Sequence, residues 1–420
     1  MKVYKFGGAS VKNAEGVRNL QQIVAQESDD LVVVVSAMGK TTNALESVLT
    51  DLWGERDTET KEKWDSILAY HYAIVRDLGL EEAWCDRLRR MVMDVLSSSA
   101  NSMPYEQVYD RIVSLGERMS TMIVTAYLQQ CGMKAVLWDM TQLLCTDATY
   151  REAVVDMDVS GVLVNEAWQE IHGRRLVVAQ GFIGGTGDGN PTTLGREGSD
   201  YSAAILGNLL NADSVTIWKD VPGILNADPR LVSDTTKIDE LTYNDAVELA
   251  YSGAQVIHPK TIRPLENKHI PLYVRPFGDV AAAGSIIKEQ AKPIDIPIYI
   301  WRKNQILVTM RAKDFSFVLE ESLSHIFDIV KRNRLKVSLI QSSAVTISVC
   351  MDNNPHRVQQ AIAELQCDYR VSWNEGLSLL TIRGTTPEIL RNEQENRIIL
   401  LSQTTRRTAR FVIKETNLIQ

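Results

Sequence analysis

Cysteine is sparse in this 420-residue chain: Cys85, Cys131, Cys145, Cys350 and Cys367 are an odd number with no C-x-x-C pair among them. That argues against a disulfide framework or a zinc site and suits a reducing compartment. An excess of positive charge is also missing, because 45 Lys and Arg stand against 53 Asp and Glu, a formal net charge of -8. A broad electrostatic footprint for nucleic acid is therefore not expected, and any anionic ligand must be met by local basic groups. No apolar run approaches the roughly 18 to 20 residues that a membrane-crossing helix requires. The opening MKVYKFGGAS has no apolar core of the kind a secretion signal carries. These absences predict a soluble cytoplasmic chain with neither nucleic acid nor membrane as a partner.

What the sequence does contain is the composition of a folded protein, 45% apolar and 23% charged. At roughly 100 to 200 residues per domain, the length predicts two or three domains. Residues 2–6 read as a strand that ends in Gly7, Gly8, Ala9 and Ser10, followed by a helix at 14–26 and an all-apolar strand, LVVVV, at 31–35. Such a run of β-branched residues fits a strand buried on both faces, and strand, glycine turn, helix, strand opens an α/β sandwich. Residues 41–130 are mostly helical in pattern, with turn signals near Gly54, Gly79 and Pro104. Further strands are expected at 174–179, 214–218 and 270–275, and helices at 245–251 and 261–268. The small residues and prolines of 280–297 mark a domain boundary. Beyond it LVTMRA (307–312) and LLTIRG (379–384) repeat a strand, which predicts two small tandem α/β units, the second one short.

Three loops after strands could meet an anion. Lys5, Gly7 and Gly8 combine a point charge with bare backbone amides, although two glycines also simply make a tight turn. Ser36, Thr42 and Asn43 lie in a polar loop off a buried strand, where open α/β sheets collect ligand contacts and where turn formation is an equal explanation. Gly39, Lys40 and Thr41 mimic the tail of a phosphate-binding loop, but Val34 occupies the place of its first glycine, so that match fails. The glycine-dense segment 181–195 lacks the G-x-G-x-x-G register. After it come Arg196, Ser199 and Asp200 at an expected helix start, where a guanidinium could grip a carboxylate in two parallel bonds. In WKDVPGILNADPR, turn chemistry accounts for the Pro, Gly, Asn226 and Asp228 and leaves Lys219 and Arg230 over. His258 has no metal-ligand partner at the usual spacing and reads as a structural histidine. With no nucleophile signature, the inventory suits phosphoryl transfer, which needs positioning and charge neutralisation.

Six blocks in order, KFGGAS (5–10), SAMGKTTNAL (36–45), SLGERMS (114–120), TTLGREGSDYSAA (192–204), KDVPGILNADPR (219–230) and SGAQVIHPKT (252–261), closely resemble the aspartokinases of the amino acid kinase family. The resemblance covers nearly the whole chain. It implies a three-layer αβα sandwich at 1–285, then two ferredoxin-like ACT units at 298–375 and, shortened, at 376–420. It further implies ATP-dependent phosphorylation of the side-chain carboxylate of L-aspartate, the step that opens the route to lysine, threonine and methionine. Lys5 and Asp200 would then be catalytic. Ser36, Thr42, Glu117, Arg196 and Ser199 would hold aspartate, with Arg196 on a carboxylate and Glu117 on the ammonium. Lys5, Gly7, Gly8, Lys219, Asp220 and Arg230 would lie along the nucleotide. Mg2+ is expected with ATP, without a dedicated protein cage. An end-product amino acid is the expected effector of the ACT units, and a homodimer or larger assembly is implied.

The chain departs from the pattern at several positions. Ser338 stands where lysine-binding members carry Asp, and Glu321 where they carry Gly. A site without that carboxylate should hold the ammonium of lysine weakly, which implies altered or lost lysine inhibition. Gln255 replaces a Lys of some members, and Lys219 a more usual Thr. The rival readings are a glutamate or N-acetylglutamate kinase and a catalytically inactive amino-acid sensor. SLGERMS and the tandem units favour aspartate, and Lys5, Arg196 and Asp200 favour an active enzyme.

Overall fold

The computed structural model describes residues 1–98, 103–173, 175–254, 257–313 and 320–415. The chain divides into two compact units. The first comprises Met1–Ile224, Lys237–Val247 and Val256–Lys292, and the second Leu225–Thr236, Glu248–Gln255 and Pro293–Gln420. The expected catalytic region 1–285 falls mostly in the first unit, which cedes 225–236 and 248–255 to the second.

In the first unit an eight-stranded sheet runs in the order Glu240–Thr242, Ser285–Lys288, Leu272–Pro276, Ser214–Lys219, Lys2–Phe6, Leu31–Val35, Leu176–Gln180, Ala135–Trp138. The six strands from Leu272–Pro276 to Ala135–Trp138 are parallel, and Ser285–Lys288, antiparallel to its neighbour Leu272–Pro276, is followed at the sheet edge by Glu240–Thr242, which runs parallel to it. All five residues of Leu31–Val35 are buried, as the apolar run requires. One face carries the helices Ala14–Ala25, Thr41–Trp53, Asp57–Asp77, Ala83–Ser98, Tyr105–Val113 and Leu115–Gln130, whose Leu20, Leu45, Leu88, Ile112 and Met119 close over Tyr4, Phe6, Val33 and Val35. Helix Gly198–Leu209 packs on the strands from the other face, flanked by Met157–Gln169 and Pro259–Glu266. Its small residues permit the approach: a Cβ at Gly207 would lie 2.6 Å from Val215 Cγ2. The result is a three-layer αβα sandwich.

Caps and turns follow the sequence. Asn13 accepts the Gly16 N–H at 2.9 Å to start the first helix, and His258 caps Pro259–Glu266 by accepting the Lys260 N–H at 3.1 Å. His258 is thus the structural histidine expected. The glycine-dense segment forms a small sheet of Ile183–Thr186 with Cys145–Thr146 and Pro191–Thr193. Its glycines make room for backbone, since a Cβ at Gly185 would lie 2.1 Å from Thr141 O and one at Gly184 2.7 Å from Leu144 O.

The second unit is built on a six-stranded antiparallel sheet in the order Val337–Ser342, Thr346–Asp352, Ile298–Ala312, Tyr369–Arg383, Thr408–Lys414, Ile399–Thr404. Helices Glu320–Arg332 and Pro355–Asp368 serve its first half, giving a β-α-β-β-α-β order of the ferredoxin-like, ACT kind. Helix Pro387–Asn396 with the two last strands forms the shorter second half. The two halves interlock. Ile298–Arg302 pairs with Leu379–Arg383, while Gln305–Ala312 serves the first half of the sheet. The division expected at 375/376 falls inside the strand Tyr369–Arg383.

Candidate active site

The site grows from strand alternation. Along Lys2–Phe6 successive side chains point to opposite faces, so Phe6 enters the helical core, where it stacks on Trp218 with ring centroids 6.1 Å apart. Lys5 therefore points to the face that carries helix Gly198–Leu209. Lys5 is in register with Ile217 on the neighbouring parallel strand, so Lys219, two residues further on, shares that face at the strand end. Both lysines meet Asp200 in the first turn of the helix. Lys5 Nζ lies 2.5 Å from Asp200 Oδ1, and Lys219 Nζ lies 3.6 Å from Oδ2. Asp200 is almost completely buried; burial alone would raise its carboxyl, but the charges of Lys5 and then Lys219 outweigh that and hold it below the ordinary carboxylate range. Two ammonium groups around one carboxylate leave an excess positive charge in the crevice.

Two loops close beside this cluster. Gly39 donates its N–H to Gly8 O at 3.0 Å, and a Cβ on Gly8 would sit 2.6 Å from Ala37 O, so only glycine lets the loops touch. A Cβ on Gly7 would lie 3.5 Å from Lys5 Nζ. Glu117, fully buried near the start of Leu115–Gln130, accepts the Ala37 N–H on Oε1 at 3.1 Å. Its Oε2 has no hydrogen-bond partner among the described residues. Burial pushes the Glu117 carboxyl up to about 8, against the Ala37 N–H and the more distant charge of Lys5. The crevice thus holds one carboxylate kept ionised by lysines and another biased towards its neutral form, with one buried oxygen unpartnered among the described residues.

A model of the amino acid kinase family matches residues 1–276. The lysine-sensitive aspartokinase 3 of Escherichia coli (strain K12) is 32% identical over 393 residues, which cover 91% of this chain and 86% of that protein. The crystal structure of E. coli aspartokinase III in complex with aspartate and ADP superimposes with a TM-score of 0.82 at 29% identity, covering 99% of this chain and 96% of the other. The same enzyme in complex with lysine and aspartate gives 0.81, with the same identity and coverage. This chain is an aspartokinase of the amino acid kinase family.

Of the residues that the aspartokinase motifs single out, Lys5, Lys219 and Asp200 are brought into direct contact. Gly7, Gly8 and Glu117 border them through the contacts above. Ser36 begins the loop after Leu31–Val35, its N–H on Phe6 O at 3.1 Å, and Thr42 opens helix Thr41–Trp53; both are half-buried. Ser199 is buried against Gly181, whose position could not carry a Cβ without meeting Ser199 Cβ at 2.5 Å. Arg196 is exposed in the turn before Asp200 and makes no ion pair among the described residues. Asp220 is exposed after the Lys219 strand. Arg230 lies in the second unit, fully exposed and paired with Asp228 at 2.7 Å, so its contacts are local ones. Gln255 lies outside the described residues.

Two acidic residues escaped the sequence reading. Asp110 is buried and accepts the Thr193 N–H at 2.8 Å, the Thr193 hydroxyl at 2.7 Å and the Arg151 N–H at 3.0 Å. Burial raises its carboxyl to about 6 in spite of those bonds. Asp110 thereby ties helix Tyr105–Val113 to the strand that leads into Arg196. Glu197, between Arg196 and the helix, is the other. A lone Asp in an amphipathic helix carries no sequence signal, whereas Glu197 sits inside the block TTLGREGSDYSAA, where its partner 61 residues away is invisible.

Proposed function

We propose that this chain transfers the γ-phosphoryl group of ATP to the side-chain carboxylate of L-aspartate, giving 4-phospho-L-aspartate and ADP. A carboxylate oxygen bonds to the γ-phosphorus while the bond from that phosphorus to the β,γ-bridging oxygen breaks, and the electron pair leaves with ADP. No general base is needed, because a side-chain carboxylate is ionised at neutral pH. The difficulty is electrostatic, since two anions must be pressed together, and the observation that carries the reading is the Lys5–Asp200–Lys219 cluster at adjoining strand ends. Lys5 and Lys219 neutralise the phosphates, with Asp200 holding their ammonium groups in place. Gly7 and Gly8 offer backbone amides to phosphate oxygens. Arg196 grips a substrate carboxylate, Glu117 pairs with the substrate ammonium through its unpartnered Oε2, and Ser36, Thr42 and Ser199 line the same pocket. Asp220 and Arg230 are assigned to the nucleotide on motif alone.

The aspartate and ADP of the E. coli aspartokinase III complex support this choice of substrates, and its lysine complex supports an amino-acid effector. Among the described residues no three His, Cys, Asp or Glu side chains stand together as a metal site, and Asp200 is occupied by two lysines. These residues do not form a cage for Mg2+, which would arrive already bound to the phosphates of ATP. No described helix is long and apolar enough to cross a membrane. We place the enzyme in the cytoplasm, as a homodimer or larger assembly, feeding lysine, threonine and methionine synthesis. The division of the second unit into ACT units at 298–375 and 376–420 belongs to the same proposal. Measuring ATP consumption with aspartate, glutamate and N-acetylglutamate in parallel tests it. Turnover with aspartate alone is expected; preference for either alternative, or no turnover, removes it.

A further inference from the structure

We infer that Glu197 is a positioning residue for Arg196, fixing the arginine for a substrate carboxylate through a side-chain tether to the backbone of His258. The inference rests on the aspartate-binding role given to Arg196 above and deepens it. Its starting point is a backbone outlier. Glu197 has φ 54° and ψ 28°, the left-handed region that residues with a Cβ rarely enter, and it does so at a helix N-cap without capping the helix through its side chain. A strained residue in that place persists only where its surroundings over-determine it.

Three bonds supply that determination. The Glu197 carboxylate accepts the His258 N–H on Oε2 at 2.9 Å, reaching 61 residues along the chain. The Glu197 carbonyl accepts the N–H of both Asp200 and Tyr201 at 3.1 Å, starting the helix that presents Asp200 to Lys5. Gly198, just beyond, is pressed on Phe182, where a Cβ would come within 2.6 Å of Cδ2, so the chain has no slack on that side. On the other side Gly195, with φ 76°, abuts Arg151 O at 3.2 Å from where its Cβ would be. Arg196 stands between these fixed points with an exposed side chain and no ion pair of its own among the described residues. Its direction is therefore set by the left-handed turn at Glu197, and the His258 bond locks that turn. A guanidinium that must meet a carboxylate in two parallel bonds needs such fixing, because small misplacements of a binding group are costly.

Two substitutions separate tether from charge and from strain. Glu197→Gln keeps an oxygen acceptor for the His258 N–H and loses only the charge, while Glu197→Gly removes the tether and tolerates the left-handed backbone. KM for aspartate, KM for ATP, kcat and the thermal midpoint are measured for both, beside Arg196→Ala. Glu197→Gly is expected to raise KM for aspartate about tenfold with KM for ATP unchanged and the thermal midpoint retained, and Glu197→Gln to stay near the parent. A parental KM for aspartate in Glu197→Gly, or an equal loss in Glu197→Gln, overturns the tether while leaving the role of Arg196 intact. If Arg196→Ala itself leaves KM for aspartate unchanged, the role of Arg196 falls, and this inference falls with it.

Discussion

The ammonium of Lys5 lies 2.5 Å from a carboxylate oxygen of Asp200, and the two groups are nearly sealed from solvent, with 11% and 4% of their side chains exposed. A buried pair of this kind is costly to break from one side, because the remaining charge stays buried without its partner. Lys5→Met should therefore lower stability by about 3 kcal/mol and kcat by at least ~100-fold. Adding Asp200→Asn should restore much of the stability and none of the activity. Denaturant titrations and turnover of the single and double variants check this, and a double variant that regains turnover would contradict the roles assigned.

Lys219 sits further from Asp200 and is more open to solvent, so its share should be catalytic rather than structural. Lys219→Met is expected to lower kcat by about 100-fold with little change in thermal midpoint. It should weaken ATP more than ADP, since the third phosphate is the one a strand-end ammonium beside Lys5 would meet. Equal weakening of ATP and ADP in direct titration would move Lys219 to another part of the nucleotide.

Glu117 makes the pH dependence legible in sign. Burial lifts its carboxyl from 4.5 to about 8, so between those values the folded chain keeps a proton that the unfolded chain has released. The folded state binds more protons across that window, and the contribution of this group to stability falls as pH rises through it. Glu117→Gln should gain thermal midpoint over the parent progressively from about pH 5 to 8. Pairing with a substrate ammonium needs the ionised form, so aspartate binding should release a proton near neutral pH. Calorimetry in two buffers of different ionisation heat reads that release, and a heat independent of buffer would argue against the pairing.

In the second unit Arg302 donates to Ser338 Oγ at 2.8 Å and to Tyr251 O at 2.6 Å. A guanidinium, not a carboxylate, is what Ser338 has beside it, and an effector ammonium placed there would meet like charge. Lysine is accordingly expected to leave aspartate phosphorylation unchanged up to millimolar concentration. Ordinary inhibition by lysine would show that the ammonium is held elsewhere.

The parts of the fold that rest on local pattern were readable in the sequence. LVVVV at 31–35 fits a strand buried on both faces, which it forms, and Gly7 and Gly8 marked the turn that follows Lys5. The period-2 argument that brings Lys5 and Lys219 to one face needs the parallel register, which no local signal provides. The same is true of Asp110 and Glu197, whose partners Thr193 and His258 are 83 and 61 residues away. The glycine density of 181–195 was plain in the sequence but its cause was not, since Gly184 and Gly185 are required by the nearness of Leu144 and Thr141 backbone. In the second unit LVTMRA and LLTIRG were visible as a repeat. That they lie on two 15-residue strands running side by side, so that the halves share a strand, depends on pairing over a long stretch of chain.

A crystal structure of the protein with L-aspartate and a non-hydrolysable ATP analogue tests the central claim most directly. The expected result is the side-chain carboxylate of aspartate facing the γ-phosphate between Lys5 and Lys219, with its other carboxylate on Arg196 and its ammonium at Glu117 Oε2. Aspartate bound away from Arg196 and Glu117, or a γ-phosphate out of reach of both lysines, would contradict the account.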